Sequence, residues 1–145
     1  MTPDANVLVA ASRSDHAHHK VAYAWLEEAV AACVEGGSLK LMPMVVASFL
    51  RIVTHPRIFV QPTPIADAIE FVDAILAVPG AEMPPLASEW PMLKELCMEK
   101  KLAANDIPDA WLAAAVNQFG EHLVTFDADF RKLLRRTQVT VMAAA

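Results

Sequence analysis

The tightest constraint on this chain is an alternation. Short apolar runs that stop at a turn or an aspartate alternate with longer segments of helical period. NVLVAA (Asn6–Ala11) reads as a short buried strand or strand-to-turn segment, with Asp4 just ahead of it. HAHHKVAYAWLEEAVAACV (His16–Val34) spaces Val21, Ala24, Trp25 and Ala29 as a helix does, with Asp15 as N-cap and Gly36-Gly37 as the stop. LKLMP (Leu39–Pro43) reads as a strand, and MVVASFLRIVT (Met44–Thr54) as a helix ended by HPR. TPIADAIEFVDAILAV (Thr63–Val78) is a helix with Thr63 as cap and Pro64 at its first position. SEWPMLKELCMEKK (Ser88–Lys101) is another, capped by Ser88. NDIPD opens a helix that runs to about Phe119, where Gly120 follows as a stop. HLVTF (His122–Phe126) is a strand ending at Asp127, ADFRKLLRR a short helix, and QVTVM (Gln138–Met142) a last strand. Strands separated by helices imply an α/β three-layer domain with a mostly parallel sheet. In such sheets sites form beyond the carboxyl ends of the strands.

The 145 residues contain no repeat, low-complexity tract or interdomain linker, so one domain spanning 1–145 is expected. The net charge of −5 argues against a broad electrostatic footprint for nucleic acid, though a local basic groove remains compatible with it. Cys33 and Cys97 form no CxxC or Cys/His cluster, which disfavours structural zinc and a disulfide scaffold and suits a reducing cytoplasm. The start, MTPDANVLVAASRSD, lacks the basic and apolar regions of a signal peptide, and no apolar run reaches the ~20 residues of a membrane span. The hydrophobic fraction of 55% exceeds the usual ~45–50%, through either partner surfaces or alanine-rich helices.

The acids carry the chemistry. Asp106 and Asp109 fit the first turn of a helix, where capping alone would account for both. Asp127 could cap the helix that follows it, with Asp129 nearby. Asp4 abuts a buried apolar run, where an acid is rare unless it is at an end, paired or metal-bound. Their joint placement is more telling. One acid lies at the first strand, one at the start of a late helix and one at the end of the following strand, all within reach of one sheet edge. Two such charges ~4 Å apart cost about 4 kcal/mol at an effective dielectric of ~20. An oxygen-seeking divalent cation relieves that repulsion, and Mg2+ or Mn2+ suits carboxylate and water ligands.

At these residues the chain resembles the PIN-domain ribonucleases, specifically VapC-type toxins of bacterial toxin–antitoxin pairs. The resemblance rests on PDANVLVAA (Pro3–Ala11), DHAHHKVAYAWL (Asp15–Leu26), FLRIVTHPRIF (Phe49–Phe59), NDIPDAWLAAAV (Asn105–Val116) and HLVTFDADF (His122–Phe130), in family order across almost the whole chain. It implies a PIN-like α/β/α sandwich and a metal-dependent endoribonuclease that acts as the toxin of a type II pair. Asp4, Asp109 and Asp127 would be the catalytic and metal-holding acids. Asn6, Thr125, Asp106 and Asp129 would support them. Many PIN nucleases carry a glutamate just before FLR; here that position is Ser48. The replacement motivates an alternative, a PIN-fold partner-binding module with weak or absent nuclease activity.

The resemblance also implies Mg2+, with Mn2+ possible, and an RNA substrate such as tRNA or rRNA. Its partners would be a VapB-like antitoxin and a second copy of the chain, in a homodimer and in toxin–antitoxin hetero-oligomers. Arg51 and Arg57 flank the THP turn, and Arg131 opens a basic cluster with Lys132, Arg135 and Arg136; these are the expected RNA contacts. Trp111 and Phe126 could stack on RNA bases, although the apolar context places both in the core. His16 and His19 share a helical face and read as solvated rather than as a metal pair.

Overall fold

Thr2 and Pro3 form β1, and Asp4 ends it. The computed structural model describes residues 1–143; Ala144 and Ala145, the last residues of the expected domain, lie outside the described residues. After β1 come α1 (Ala5–Ser12), α2 (His19–Val34), β2 (Leu39–Lys40), α3 (Pro43–Val53), α4 (Ile65–Leu76) and β3 (Ala81–Glu82). α5 (Trp90–Lys100), α6 (Asp106–Gln118) and β4 (Leu123–Thr125) follow, then β5 (Val139–Val141).

β4 is the centre of a parallel sheet. It pairs with β1 through Thr2 opposite Leu123 and Pro3 opposite Val124, and with β5 on its other side. β2 and β3 form a second parallel pair. The Lys40 N–H donates to the Met1 carbonyl (2.9 Å) and the Thr2 hydroxyl to the Lys40 carbonyl (2.6 Å). These bonds seat β2 beside β1 and give the order β3-β2-β1-β4-β5. The chain thus leaves β1 toward one side of the sheet and returns on the other as β4. That reversal opens a crevice at the carboxyl ends of β1 and β4, the place where open α/β sheets bind ligands. Helices flank the sheet as expected: α1 packs on α2 and α3, α3 on α4, and α5 on α6. Leu8, Leu41, Met42, Phe49, Val116, Leu123 and Phe130 lie in the core, almost wholly excluded from solvent.

Asn6–Ala11 corrects a sequence expectation. It is helical, not a strand, and only Thr2–Pro3 before it is extended. The reason is burial on nearly every side: Val7, Leu8, Val9, Ala10 and Ala11 are all excluded from solvent. An all-apolar run carries no period by which helix and strand can be told apart. Asp4 settles the matter locally, because its Oδ1 accepts from the Ala5 N–H (2.7 Å) and caps α1.

Several caps also differ. Asp15 does not cap α2; it pairs with Arg13 (2.7 Å), and the helix starts later, at His19. Thr63 does not cap α4, since its hydroxyl accepts from Arg13 Nη1 (3.0 Å), and Pro64 takes the cap position. Glu89 rather than Ser88 precedes α5. The segment after Asp127 forms two short 3₁₀ turns, Ala128–Lys132 and Arg136–Gln138, not one helix. By contrast, Gly36 does end α2 as expected: it holds φ 95°, and Gly37 N–H returns to the Ala32 carbonyl (2.8 Å).

Candidate active site

Three elements bring acids to the crevice. β1 ends at Asp4, β4 ends just before Asp127, and the first turn of α6 carries Asp109. The hydroxyl of Thr125 is the hub. It donates to Asp4 Oδ2 (2.8 Å) and accepts from the Asp127 backbone N–H (3.0 Å) and from Asn6 Nδ2 (3.4 Å). Asn6 Oδ1 in turn accepts from the Phe126 N–H (3.3 Å). Thr125 is fully buried, and one donated with two accepted bonds uses its whole hydrogen-bonding capacity. Asp127 Oδ1 accepts from the Asp129 N–H (2.9 Å) and starts the following 3₁₀ turn.

Asp106 and Asp109 do not act as caps. Asn105 precedes α6 without a side-chain cap bond, and Asp106 lies already within the helix. Capping therefore does not account for Asp109. It lines a cavity of about 240 Å3 with Asp4, Ser48, Pro108, Trp111 and Leu112. On its other side it borders a second cavity of about 300 Å3 with Asp106, Asp129, Lys100 and Lys132. Of the expected site residues, the first cavity gathers Asp4, Ser48 and Asp109. The second gathers Asp106, Asp109 and Asp129.

The electrostatics follow from that placement. Burial pushes the Asp109 carboxyl up to about 6, reinforced by the charges of Asp4, Asp127, Asp129 and Asp106. Asp4 is also raised, chiefly by burial and slightly by Asp127, while the bonds from Thr125 and Ala5 oppose the rise. Among the described residues no Lys, Arg or His forms an ion pair with Asp4, Asp109 or Asp127. Also among them, no three His, Cys, Asp or Glu side chains close around a point that an ion could occupy. The donor set thus does not suit a fully dehydrated ion. A hydrated Mg2+ or Mn2+ keeps several waters and needs only one or two carboxylates directly, and Asp4 and Asp109 line one cavity. The mutual repulsion of uncompensated acids is what such an ion would relieve.

The expected RNA contacts sit farther out. Arg51 is exposed in the last turn of α3 and Arg57 is exposed in the turn beyond it. Arg131 borders a different cavity, with Arg136, Val139 and Val141. None of the three lines a cavity that Asp109 borders. The cations that do are Lys100 and Lys132. The histidines are engaged elsewhere, with His16 Nδ1 accepting from the His18 N–H (3.0 Å) and His19 Nδ1 bonded to the Ala10 carbonyl (2.8 Å).

Trp111 corrects another expectation. It is not in the core; 41% of it is exposed, at the rim of the cavity that holds Asp4 and Asp109. Phe126 is half-buried and stacks on His18 with ring centres 4.6 Å apart. Two buried charges escaped the sequence reading altogether. Glu89 is only 1% exposed and accepts from Trp111 Nε1 (2.7 Å) and the Ala87 N–H (2.9 Å). Arg13 forks onto Asp15, bonds Thr63 and the Gln61 carbonyl, and lies 3.7 Å over the Phe59 ring. Each bonds one partner two residues away, but the contacts that enclose it, Phe59, Gln61 and Thr63 for Arg13 and Trp111 for Glu89, are distant in sequence.

A family model described as the PIN domain matches residues 1–135. The chain is 39% identical over 133 residues to Ribonuclease VapC31 of Mycobacterium tuberculosis, covering 89% of each. It is 37% identical over 131 residues to Ribonuclease VapC25 of the same species, again with 89% of each covered. Among solved structures, one of VapBC2 from Rickettsia felis bound to a DNA fragment from their promoter aligns with a TM-score of 0.64. That alignment covers 96% of both chains at 15% identity, so it speaks to the fold alone. No helix among the described residues is long and apolar enough to cross a membrane.

Proposed function

The chain belongs to the PIN-domain family, and on that premise we propose that it is a metal-dependent endoribonuclease, the toxin of a type II toxin–antitoxin pair. One observation carries the reading most directly. Asp109, in the first turn of α6, lines one cavity with Asp4, whose carboxylate Thr125 ties to the backbone of Asp127 at the end of β4. The relatives named as ribonucleases support the activity class. They also weigh against the partner-binding alternative that Ser48 motivated.

In this reading Asp4, Asp109 and Asp127 hold Mg2+, or Mn2+, directly or through water. When bound, such an ion lowers the pKa of its water and polarises a phosphoryl oxygen of the RNA backbone. The rest falls to the chain. Thr125 and the Ala5 N–H hold the Asp4 carboxylate in one orientation. Asn6 fixes the backbone at Phe126, so that Asp127 leaves β4 at a set angle. In the ion-free chain burial pushes the Asp109 carboxyl up to about 6 and raises Asp4 as well, so a cation bound there favours the ionised form of both. Ser48 lines the same cavity and can orient a water, though it cannot bind an ion as a carboxylate does. Lys100 and Lys132 lie close enough to the acids to meet RNA phosphates, while Arg51, Arg57 and Arg131 would engage the strand farther from the cut.

The partner in this reading is a small VapB-like antitoxin, and the assemblies are a toxin homodimer and toxin–antitoxin hetero-oligomers. Exposed Ile58, Val60, Ile65 and Ile69 offer apolar surface for them. The test is RNA cleavage by the antitoxin-free chain on tRNA and rRNA fragments. Cleavage is expected with Mg2+ or Mn2+ and is expected to vanish in EDTA. Undiminished cleavage in EDTA, or none with either ion, refutes the reading.

A further inference from the structure

Glu89 poses a problem that the acid site does not solve. A carboxylate 1% exposed is costly to fold, and its two hydrogen bonds go to Ala87 and to the indole of Trp111. Burying the charge gains no ion pair among the described residues. What it achieves is to clamp a tryptophan that remains 41% exposed. A charge-assisted N–H bond of 2.7 Å fixes the tilt of that ring. The clamped indole lines the cavity that also contains Asp4, Ser48 and Asp109. An exposed, pre-oriented aromatic next to a phosphodiester-cleaving centre has a specific use. Single-stranded RNA offers unstacked bases, and a base stacks on any flat aromatic face irrespective of its identity.

We infer that Trp111 is the stacking platform for a nucleobase of single-stranded RNA flanking the scissile phosphate, and that Glu89 is a positioning residue acting through it. The inference rests on the ribonuclease reading and extends it from the reaction to the way the strand is seated. The ligand class is an unpaired ribonucleotide. A base-paired one would present its phosphates to the acids but no free face to the indole.

Trp111→Ala strands a buried carboxylate and can weaken the fold, so the decisive comparison varies the RNA as well as the protein. Single-stranded RNA oligonucleotides carrying one abasic nucleotide at successive positions are titrated onto the full chain in an Asp109→Asn background, with and without Trp111→Ala. Cleavage by the unaltered chain is measured in parallel. Stacking predicts one position where loss of the base weakens binding about 5- to 150-fold with Trp111 present and has no further effect in the Trp111→Ala chain. Glu89→Gln, which keeps the indole but loses the charge-assisted bond, is expected to lower that sensitivity at the same position and no other, and Trp111→Phe, which keeps a stacking face but has no N–H for Glu89, to lose part of it as well. The inference is overturned, with the ribonuclease reading intact, if the RNA is cleaved and bound but every abasic position costs the same with and without Trp111. It is overturned likewise if Trp111→Ala weakens only the binding of a VapB-like antitoxin peptide, which would make the indole a protein contact. Failure of the unaltered chain to cleave or bind RNA would remove both.

Discussion

The hydroxyl of Thr125 donates to Asp4 over 2.8 Å and joins the ends of two adjacent parallel strands whose residues stand 121 positions apart. The same oxygen accepts from the Asp127 N–H, so one small side chain sets the relation between two of the three acids. Thr125→Val keeps the shape but leaves a buried acceptor on Asp4 and a buried donor on Asp127 unpaired. A loss of about 1–3 kcal/mol is expected in urea unfolding, with Thr125→Ser recovering most of it. RNA cleavage should fall in the valine variant by more than its stability loss explains. Equal stability and activity of all three chains would remove Thr125 from the account.

Asp109 gives a pH dependence with a definite sign. Its carboxyl is pushed up to about 6 in the folded chain from an ordinary value of 3.8. Between these values the folded state binds a proton that the unfolded chain has released. Stability of the metal-free protein therefore falls as pH rises through that window and stays lower above it. Asp109→Asn removes the penalty. At about pH 7.5 the variant is expected to be more stable by about 1–2 kcal/mol, after allowing for solvent screening, and at about pH 4 to differ little. Chemical unfolding at the two pH values checks this; a variant less stable at both contradicts it.

Metal binding should invert that ranking. An ion that binds only the folded chain stabilises it by about 2.7 kcal/mol at ~100 times its dissociation constant. Thermal unfolding with Mg2+ or Mn2+ should show a rise in midpoint for the native sequence and none for Asp4→Asn or Asp109→Asn. A rise of the same size in all three would place the ion elsewhere.

Arg13 is expected to matter for stability rather than chemistry. Its guanidinium ties the α1–α2 turn to the segment Phe59–Thr63 through Asp15, Thr63, the Gln61 carbonyl and the Phe59 ring. Arg13→Ala should cost about 2–4 kcal/mol. Arg13→Lys should recover little, because an ammonium cannot reproduce the fork. Differential scanning of the three chains decides it, and a lysine variant as stable as the native chain would contradict the forked geometry.

Much of this molecule was legible before its structure. Helices α3, α4 and α6 announced themselves through apolar period, with a proline start in α4 and a glycine stop after α6, and β4 and β5 as short apolar runs beyond them. α1 was not, because a segment buried on all sides shows no period. That acids at strand ends and a helix start would gather at one sheet edge could be read from the sequence, and Asp4 and Asp109 do line one cavity. Whether Asp109 caps its helix could not, since capping and lining a cavity both suit an acid in the first turn. Glu89 and Trp111 were beyond reach for another reason. Their bond joins the start of α5 to α6 across 22 positions, and no local pattern encodes it.

The central claim is that Asp4 and Asp109 act as parts of one site. The most direct measurement is single-turnover cleavage of one RNA in saturating Mg2+ by the native chain, Asp4→Asn, Asp109→Asn and the double variant. If the acids serve one site, each single variant loses nearly all the rate and the double variant loses little more. If the losses multiply, or if either variant cleaves at close to the native rate, the two aspartates do not share an active site.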